Sequence, residues 1–197
     1  MKSLPAIYLV RHGETEWAVA GRHTGRTDIP LTARGEEDGK RLGERLAGRA
    51  FARVWTSPAV RARRTCELAG LGSVAEDDPD LWEWDYGEYE GRTAADIRAG
   101  RPGWQVFADG APGGESPADV AARADRVIAR VRAVPGDVLL FSSGHILRVL
   151  TARWLGLRPA AGALFVLGTG SVCILGYDHD PTEPAIRLWN DRGHLGP

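Results

Sequence analysis

Val138-Leu139-Leu140-Phe141 is an apolar run without alternation. A strand of that kind is buried on both faces, which calls for a parallel sheet with helices packed above and below it. Two further short runs read as strands, one over Ala6, Ile7, Leu9 and Val10 and one from Arg53 to Thr56. Each of the three opens directly into polar residues: Arg11-His12-Gly13-Glu14-Thr15, Ser57-Pro58 with Arg61, and Ser142-Ser143-Gly144-His145. In a parallel sheet such ends share one edge, the place where open α/β sheets bind ligands.

Helix signals fill the intervals. Thr32 is placed to cap a helix carrying Leu42 and Leu46, although Gly35, Gly39, Gly43 and Gly48 weaken it on propensity, so packing must hold it. Ser57-Pro58 reads as N-cap and first residue of a helix running to about Gly70. Ser116-Pro117 repeats that signal ahead of an apolar face of Val120, Ala124, Val127, Ile128, Val131 and Val134, ended by Pro135-Gly136. A short helix follows Thr93, and another covers Ile146 to Leu155, stopped by Gly156. Residues 13–31 form a long irregular segment, 76–92 an acidic and aromatic loop without period, and 102–117 a Gly/Pro-rich stretch expected to be a mobile lid. The apolar segments Ala163 to Leu167 and Val172 to Tyr177, a turn over Asp178 to Pro184, and Ala185 to Trp189 predict a terminal hairpin. The expected architecture is a three-layer α/β/α sandwich with a mostly parallel central sheet, one domain over residues 1–197 with a lid-like insertion around 80–117.

The formal charge of −1 supplies no global field for nucleic acid or anionic lipid, so neither is an expected partner and any anion must be held locally. Cys66 and Cys173 are too few and too distant for a disulfide framework, and each sits among apolar neighbours, as buried thiols in a reducing compartment do. The N-terminal stretch, with only Lys2 before Leu4 to Val10 and charges at once after it, is a poor signal peptide, and no apolar run reaches membrane-spanning length. A cytoplasmic protein is expected. No His/Cys/Asp cluster has metal spacing, so neither metal nor other cofactor is expected. The sequence leaves the oligomeric state open, a homodimer being among the outcomes.

Two arginines and a histidine around one point form a phosphate clamp with a nucleophile at its centre. Neutral imidazole attacking phosphorus gives a phosphohistidine that water then cleaves. The leaving alkoxide needs a proton, and a carboxyl held protonated by burial or by phosphate charge can supply it. Glu83, between Trp82 and Trp84, is the candidate, with Asp85 its competitor. Trp82, Trp84, Tyr86 and Tyr89 serve equally as loop packing or as substrate contacts, and His23 and His194 read as surface residues.

The wording of these segments resembles the histidine phosphatase superfamily, also called phosphoglycerate mutase-like. Arg11-His12-Gly13-Glu14-Thr15 is similar to its signature. Thr24-Gly25, Leu31-Thr32 with Gly35, Ser57-Pro58 with Arg61-Ala62 and Thr65, and Leu81 with Glu83, Gly87, Glu90 and Gly91 match successive family segments between about residues 7 and 150. The resemblance implies His12 as phosphorylated nucleophile, Glu83 as proton donor, Arg11 and Arg61 on the phosphoryl group, and Thr24, Gly25 and Tyr86 beside phosphate or substrate. The block from Glu83 to Gly91 with Gly21 to Gly25 looks most like a phosphatase branch of actinobacterial acid phosphatases and sedoheptulose-bisphosphatase relatives. It looks less like the dedicated mutases, whose lid inserts are longer.

One position departs. The family pattern is a small residue followed by His-Gly, with an arginine four residues after the glycine. Aligning Gly144 and Arg148 puts Ser143 where the second active-site histidine belongs. Ser143 and Gly144 are therefore expected at the phosphate, with Ser143 offering one hydrogen bond and no charge. Losing one preorganised group of that kind costs on the order of a hundredfold to a thousandfold in rate. His145 is expected near the substrate, but close relatives also have a histidine there, so its presence alone does not make it a replacement. The function expected is a phosphomonoesterase acting on a small phosphorylated metabolite, attenuated by Ser143. The alternative is a phosphate-ester-binding or repurposed member, mutase- or isomerase-type, with little phosphatase turnover.

Overall fold

The structure, a computed structural model, describes residues 4–196; the start of the N-terminal stretch weighed above as a signal peptide, residues 1–3, lies outside them. Strands β1 (Ile7–Arg11), β2 (Arg53–Thr56), β3 (Ala75–Asp77), β4 (Val138–Ser142), β5 (Val172–Tyr177) and β6 (Pro184–Asp191) form a single sheet in the order β3-β2-β4-β1-β5-β6. The β3-β2-β4-β1 half is parallel, and β5 and β6 add antiparallel as the expected terminal hairpin. Helices α1 (Glu16–Val19), α2 (Ala33–Leu46), α3 (Val60–Leu68), α4 (Ala94–Gly100), α5 (Val106–Asp109), α6 (Pro117–Arg132) and α7 (Gly144–Trp154) connect them.

The side-chain alternation of the central strands divides the core into two layers. Ile7, Leu9, Val138 and Leu140 face α6 and α7 through Val120, Ala124, Val127, Ile146 and Leu150. Tyr8, Val10, Leu139 and Phe141 face α2 and α3 through Leu42, Leu46 and Cys66. No helix of the described residues is long and apolar enough to cross a membrane.

The glycines that weaken α2 by propensity explain how it packs. A Cβ at Gly35 would lie 2.2 Å from the Glu14 carbonyl oxygen, and one at Gly39 would lie 2.9 Å from the Leu68 side chain. The stripe, spaced four residues apart, therefore lets the helix lie directly on the loop after β1 and on α3. Thr32 fastens the same junction, accepting from Gly35 N–H at 3.0 Å and donating to the Glu14 carboxylate at 2.9 Å.

Four expectations need correction or refinement. Helix α3 starts at Val60, two residues after Pro58, because Ser57 is still in the ladder, donating its N–H to Phe141 O at 2.8 Å. The distant Asp28 carboxylate receives the Val60 N–H instead, at 2.9 Å. The periodless loop contains β3, a short strand on the sheet edge whose mostly exposed side chains leave no apolar signal. Ala163 to Leu167 is not a strand; it leaves a 3-10 turn (Pro159–Leu164) with Leu164 and Val166 exposed. The 102–117 stretch is anchored by Trp104, Val106 and Phe107, all buried in the main core.

Gly35→Ala is expected to lower stability by about 1–3 kcal/mol, since the new methyl meets backbone and not a yielding side chain. Thermal unfolding measures this; an unchanged midpoint would contradict the close approach.

Candidate active site

The ladder levels the strand ends: Arg11 pairs with Ser142 and Thr56 with Phe141, and His12 N–H donates to Ser142 O at 2.9 Å. A cavity of about 180 Å³ opens at that edge, lined by Arg11, His12, Thr24, Glu83, Tyr86, Gly144 and His145 among the expected residues. Arg61, Gly25 and Ser143, also expected there, are buried and do not line it. Asp85 lies elsewhere, held by Arg26 and by the Gly87 N–H.

His12 is held at both ends. Its loop is pinned where Gly13 N–H donates to Thr65 Oγ1 at 3.0 Å, and Thr65 in turn donates to Arg61 O. The ring Nδ1 sits 2.7 Å from Gly13 O. A carbonyl can only accept, so Nδ1 carries the proton and Nε2 keeps its lone pair. Nε2 has no protein partner and is not among the buried orphaned atoms, so it opens on the cavity. Burial above all, then Arg61 and Arg11, hold the imidazole well below the usual histidine range, against the opposing Gly13 hydrogen bond. The neutral, nucleophilic form therefore persists into acid.

The two arginines are placed differently. Arg11 donates from Nη1 to Leu167 O and leaves Nε buried without a partner. Arg61, fully buried, is tied to the carbonyls of Thr24, Gly25 and Thr27 at 3.0–3.1 Å, with Nε again unpartnered. It thus shapes the Thr24 loop as well as charging the wall, and Glu90 fastens that loop from the other side through the N–H groups of Gly25 and Thr27. Burial lowers the pKa of both guanidiniums, with Glu83 opposing, yet a guanidinium stays charged in a protein. Unpaired buried donors beside a cavity are suited to an anion.

Glu83 is buried at the N-terminus of α7. Its carboxylate accepts from Trp84 N–H, Ile146 N–H and His145 N–H, each at 2.9 Å. The loop carrying it is tied down from β4, where Ser142 Oγ donates to Leu81 O at 2.6 Å, and from α6. There Arg123 reaches the carbonyls of Asp80 and Trp82 and pairs with Glu115, 2.7 Å from Nε to Oε1.

The pattern of the histidine phosphatase superfamily, branch 1, matches residues 7–192. The chain belongs to this family. It is 40% identical to an acid phosphatase of Mycobacterium tuberculosis over 91% of this chain and 90% of that protein. It is 34% identical to sedoheptulose 1,7-bisphosphatase of Saccharomyces cerevisiae over 78% of this chain and 68% of that protein. Among solved structures, the product of a Mycobacterium tuberculosis open reading frame superposes with a TM-score of 0.89 at 38% identity, covering 94% of this chain and 97% of that one. The phosphoglycerate mutase-like fold is thus the fold of this histidine phosphatase family member.

Sequence reasoning passed over several residues of this wall. His23, read as a surface residue, is half-buried and lines the cavity, its Nδ1 2.8 Å from Arg92 O and its ring against Tyr86 and Trp104. Arg22 and Arg148 also line it. Arg123 had a visible signal, a charge set into the apolar stripe of Val120, Ala124 and Val127. The aromatic block divides: Tyr86 faces the cavity, whereas Trp84 is core and donates its indole N–H to Glu115 O at 2.8 Å.

In the free protein, His12 is expected to stay neutral, with its proton on Nδ1, when the pH is lowered through the ordinary histidine value of 6.5. A 15N NMR titration of the ring reads this; protonation centred on the ordinary histidine value would contradict the geometry.

Proposed function

We propose that this chain is a phosphomonoesterase that hydrolyses a small phosphorylated metabolite through a phosphohistidine on His12. The observation that carries the proposal is the His12 tautomer: Nδ1 is committed to Gly13 O, so the Nε2 lone pair faces a cavity walled by Arg11 and closed by Glu83.

Attack by Nε2 forms the phosphorus–nitrogen bond as the bond to the ester oxygen breaks. The leaving alkoxide takes a proton from the Glu83 carboxyl. Phosphorylation makes the His12 ring cationic, and its Nδ1–H to Gly13 O hydrogen bond strengthens in that state. Arg11 supplies charge to the phosphoryl oxygens, and Arg61 adds to the field from behind the wall while holding Thr24 at its rim. In the second step water gives its proton to the Glu83 carboxylate and attacks phosphorus. The phosphorus–nitrogen bond then breaks and releases inorganic phosphate.

The acid phosphatase and the bisphosphatase, at 40% and 34% identity, support hydrolysis, while relatives at 32–34% identity are named probable phosphoglycerate mutases and keep the phosphoryl-transfer alternative in view. Ser143 brings no charge to the wall, so turnover is attenuated relative to a site with a second cationic histidine. Two free, buried thiols, Cys66 and Cys173, each pushed up to about 12 chiefly by burial, suit a reducing, cytoplasmic setting.

Phosphate release from 4-nitrophenyl phosphate tests the reading. His12→Ala is expected to lower it by about a thousandfold or more. Glu83→Gln is expected to cost about a hundredfold or more on an alkyl phosphate but less on the aryl ester, whose leaving group needs little protonation. Equal release by wild type and His12→Ala would sink the proposal. Binding of phosphate esters without release would favour the binding-only alternative.

A further inference from the structure

At the end of β4, Ser143 is buried, its Oγ has no hydrogen-bond partner, and it does not line the cavity. Two residues on, His145 does line it. The backbone N–H of His145 is held by Glu83 Oε2 at 2.9 Å. Its ring meets Phe107 edge-on at 5.0 Å and lies near parallel to His23 at 5.9 Å. Its Nδ1 is hydrogen-bonded to the Tyr86 hydroxyl.

That last contact decides what the ring offers. Burial pushes the Tyr86 phenol well above its ordinary value, Glu83 adding to the effect, so the hydroxyl keeps its proton and has it to donate to Nδ1. Burial, Arg148, His23 and Arg11 keep the His145 imidazole neutral. A neutral ring that accepts at Nδ1 carries its proton on Nε2. Nε2 has no protein partner and is not among the buried orphaned atoms, so an N–H donor opens on the cavity. With the phenol donating, the two imidazoles face one space in opposite tautomers: a carbonyl makes His12 a base at Nε2, and the phenol makes His145 a donor there.

We propose that His145 is a catalytic residue of this protein, its Nε2–H donating to an oxygen of the transferring phosphoryl group, and that Tyr86 is the positioning residue that fixes its tautomer. The inference rests on the phosphatase reading above. It assigns to position 145 the hydrogen bond that Ser143 is not placed to make, without restoring a positive charge.

The test compares wild type, His12→Ala, His145→Ala, His145→Gln and Tyr86→Phe by 4-nitrophenyl phosphate turnover and orthovanadate inhibition, with thermal melts as the folding control. His145→Ala is expected to lower kcat/KM on the order of a hundredfold and to weaken vanadate comparably. His145→Gln keeps an N–H at a similar reach and is expected to stay within about tenfold of wild type. Ser143→His is expected to recover activity in the His145→Ala background. In 15N NMR, His145 of the wild type is expected to show the proton on Nε2, and Tyr86→Phe to release it to a mixture of tautomers with a lower kcat and little change in KM.

A wild type whose activity depends on His12 but not on His145 overturns this inference alone, whereas activity indifferent to His12→Ala overturns the phosphatase reading beneath it. A proton on Nδ1 of His145 in the wild type overturns the inference without recourse to any variant.

Discussion

The active edge depends on the parallel ladder between β1 and β4. It sets Arg11 level with Ser142 and gives the His12 N–H a carbonyl on the next strand. Both strands are buried on both faces, so neither can slip by a residue without sending its core side chains to the wrong layer. His12 and the start of α7 therefore keep a fixed separation, and the remaining groups are hung from those two points.

What is hung there is mostly unfavourable alone. Arg61 is a buried cation, Arg11 a partly buried one and Glu83 a buried carboxylate, and Arg11, Arg61 and Ser143 each hold a polar atom without a partner. Leaving such groups unpaired costs free energy, and an anion delivered to the cavity offsets part of it. The surroundings resist collapse: Arg61 is tied to three carbonyls, Glu83 to three N–H groups, and the Arg123–Glu115 pair clamps the loop between them. Rigid support is spent where charge must be held ready.

Much of this was legible in the sequence because it is written locally. Unbroken apolar runs mark the central strands, Thr32 and Ser116 cap as expected, and the polar residues after each run meet because parallel strands share an edge. The missed features are those whose cause lies far along the chain. Asp28 satisfies the start of α3 from 32 residues away, which no local pattern announces. Strand β3 is held by backbone pairing with β2 and by arginines that meet Glu76 and Asp77, with only Ala75 packed on the core, and His23 enters the wall because Arg92 O fixes its ring. Ser143 was expected at the phosphate from its place in the motif alone, yet its hydroxyl is buried and absent from the cavity lining, whereas His145, two residues on, lines it.

The mechanism proposed for this site requires His12 to carry the phosphoryl group. Rapid acid-free quenching during turnover, followed by peptide mass spectrometry and 31P NMR, measures it directly. The expected result is an acid-labile, base-stable phosphoryl group on Nε2 of His12, formed as fast as the alcohol is released and absent with Glu83 and the arginines intact but His12 replaced. Steady hydrolysis with no phosphorylated His12 at any time, or with the phosphoryl group on another residue, would contradict it.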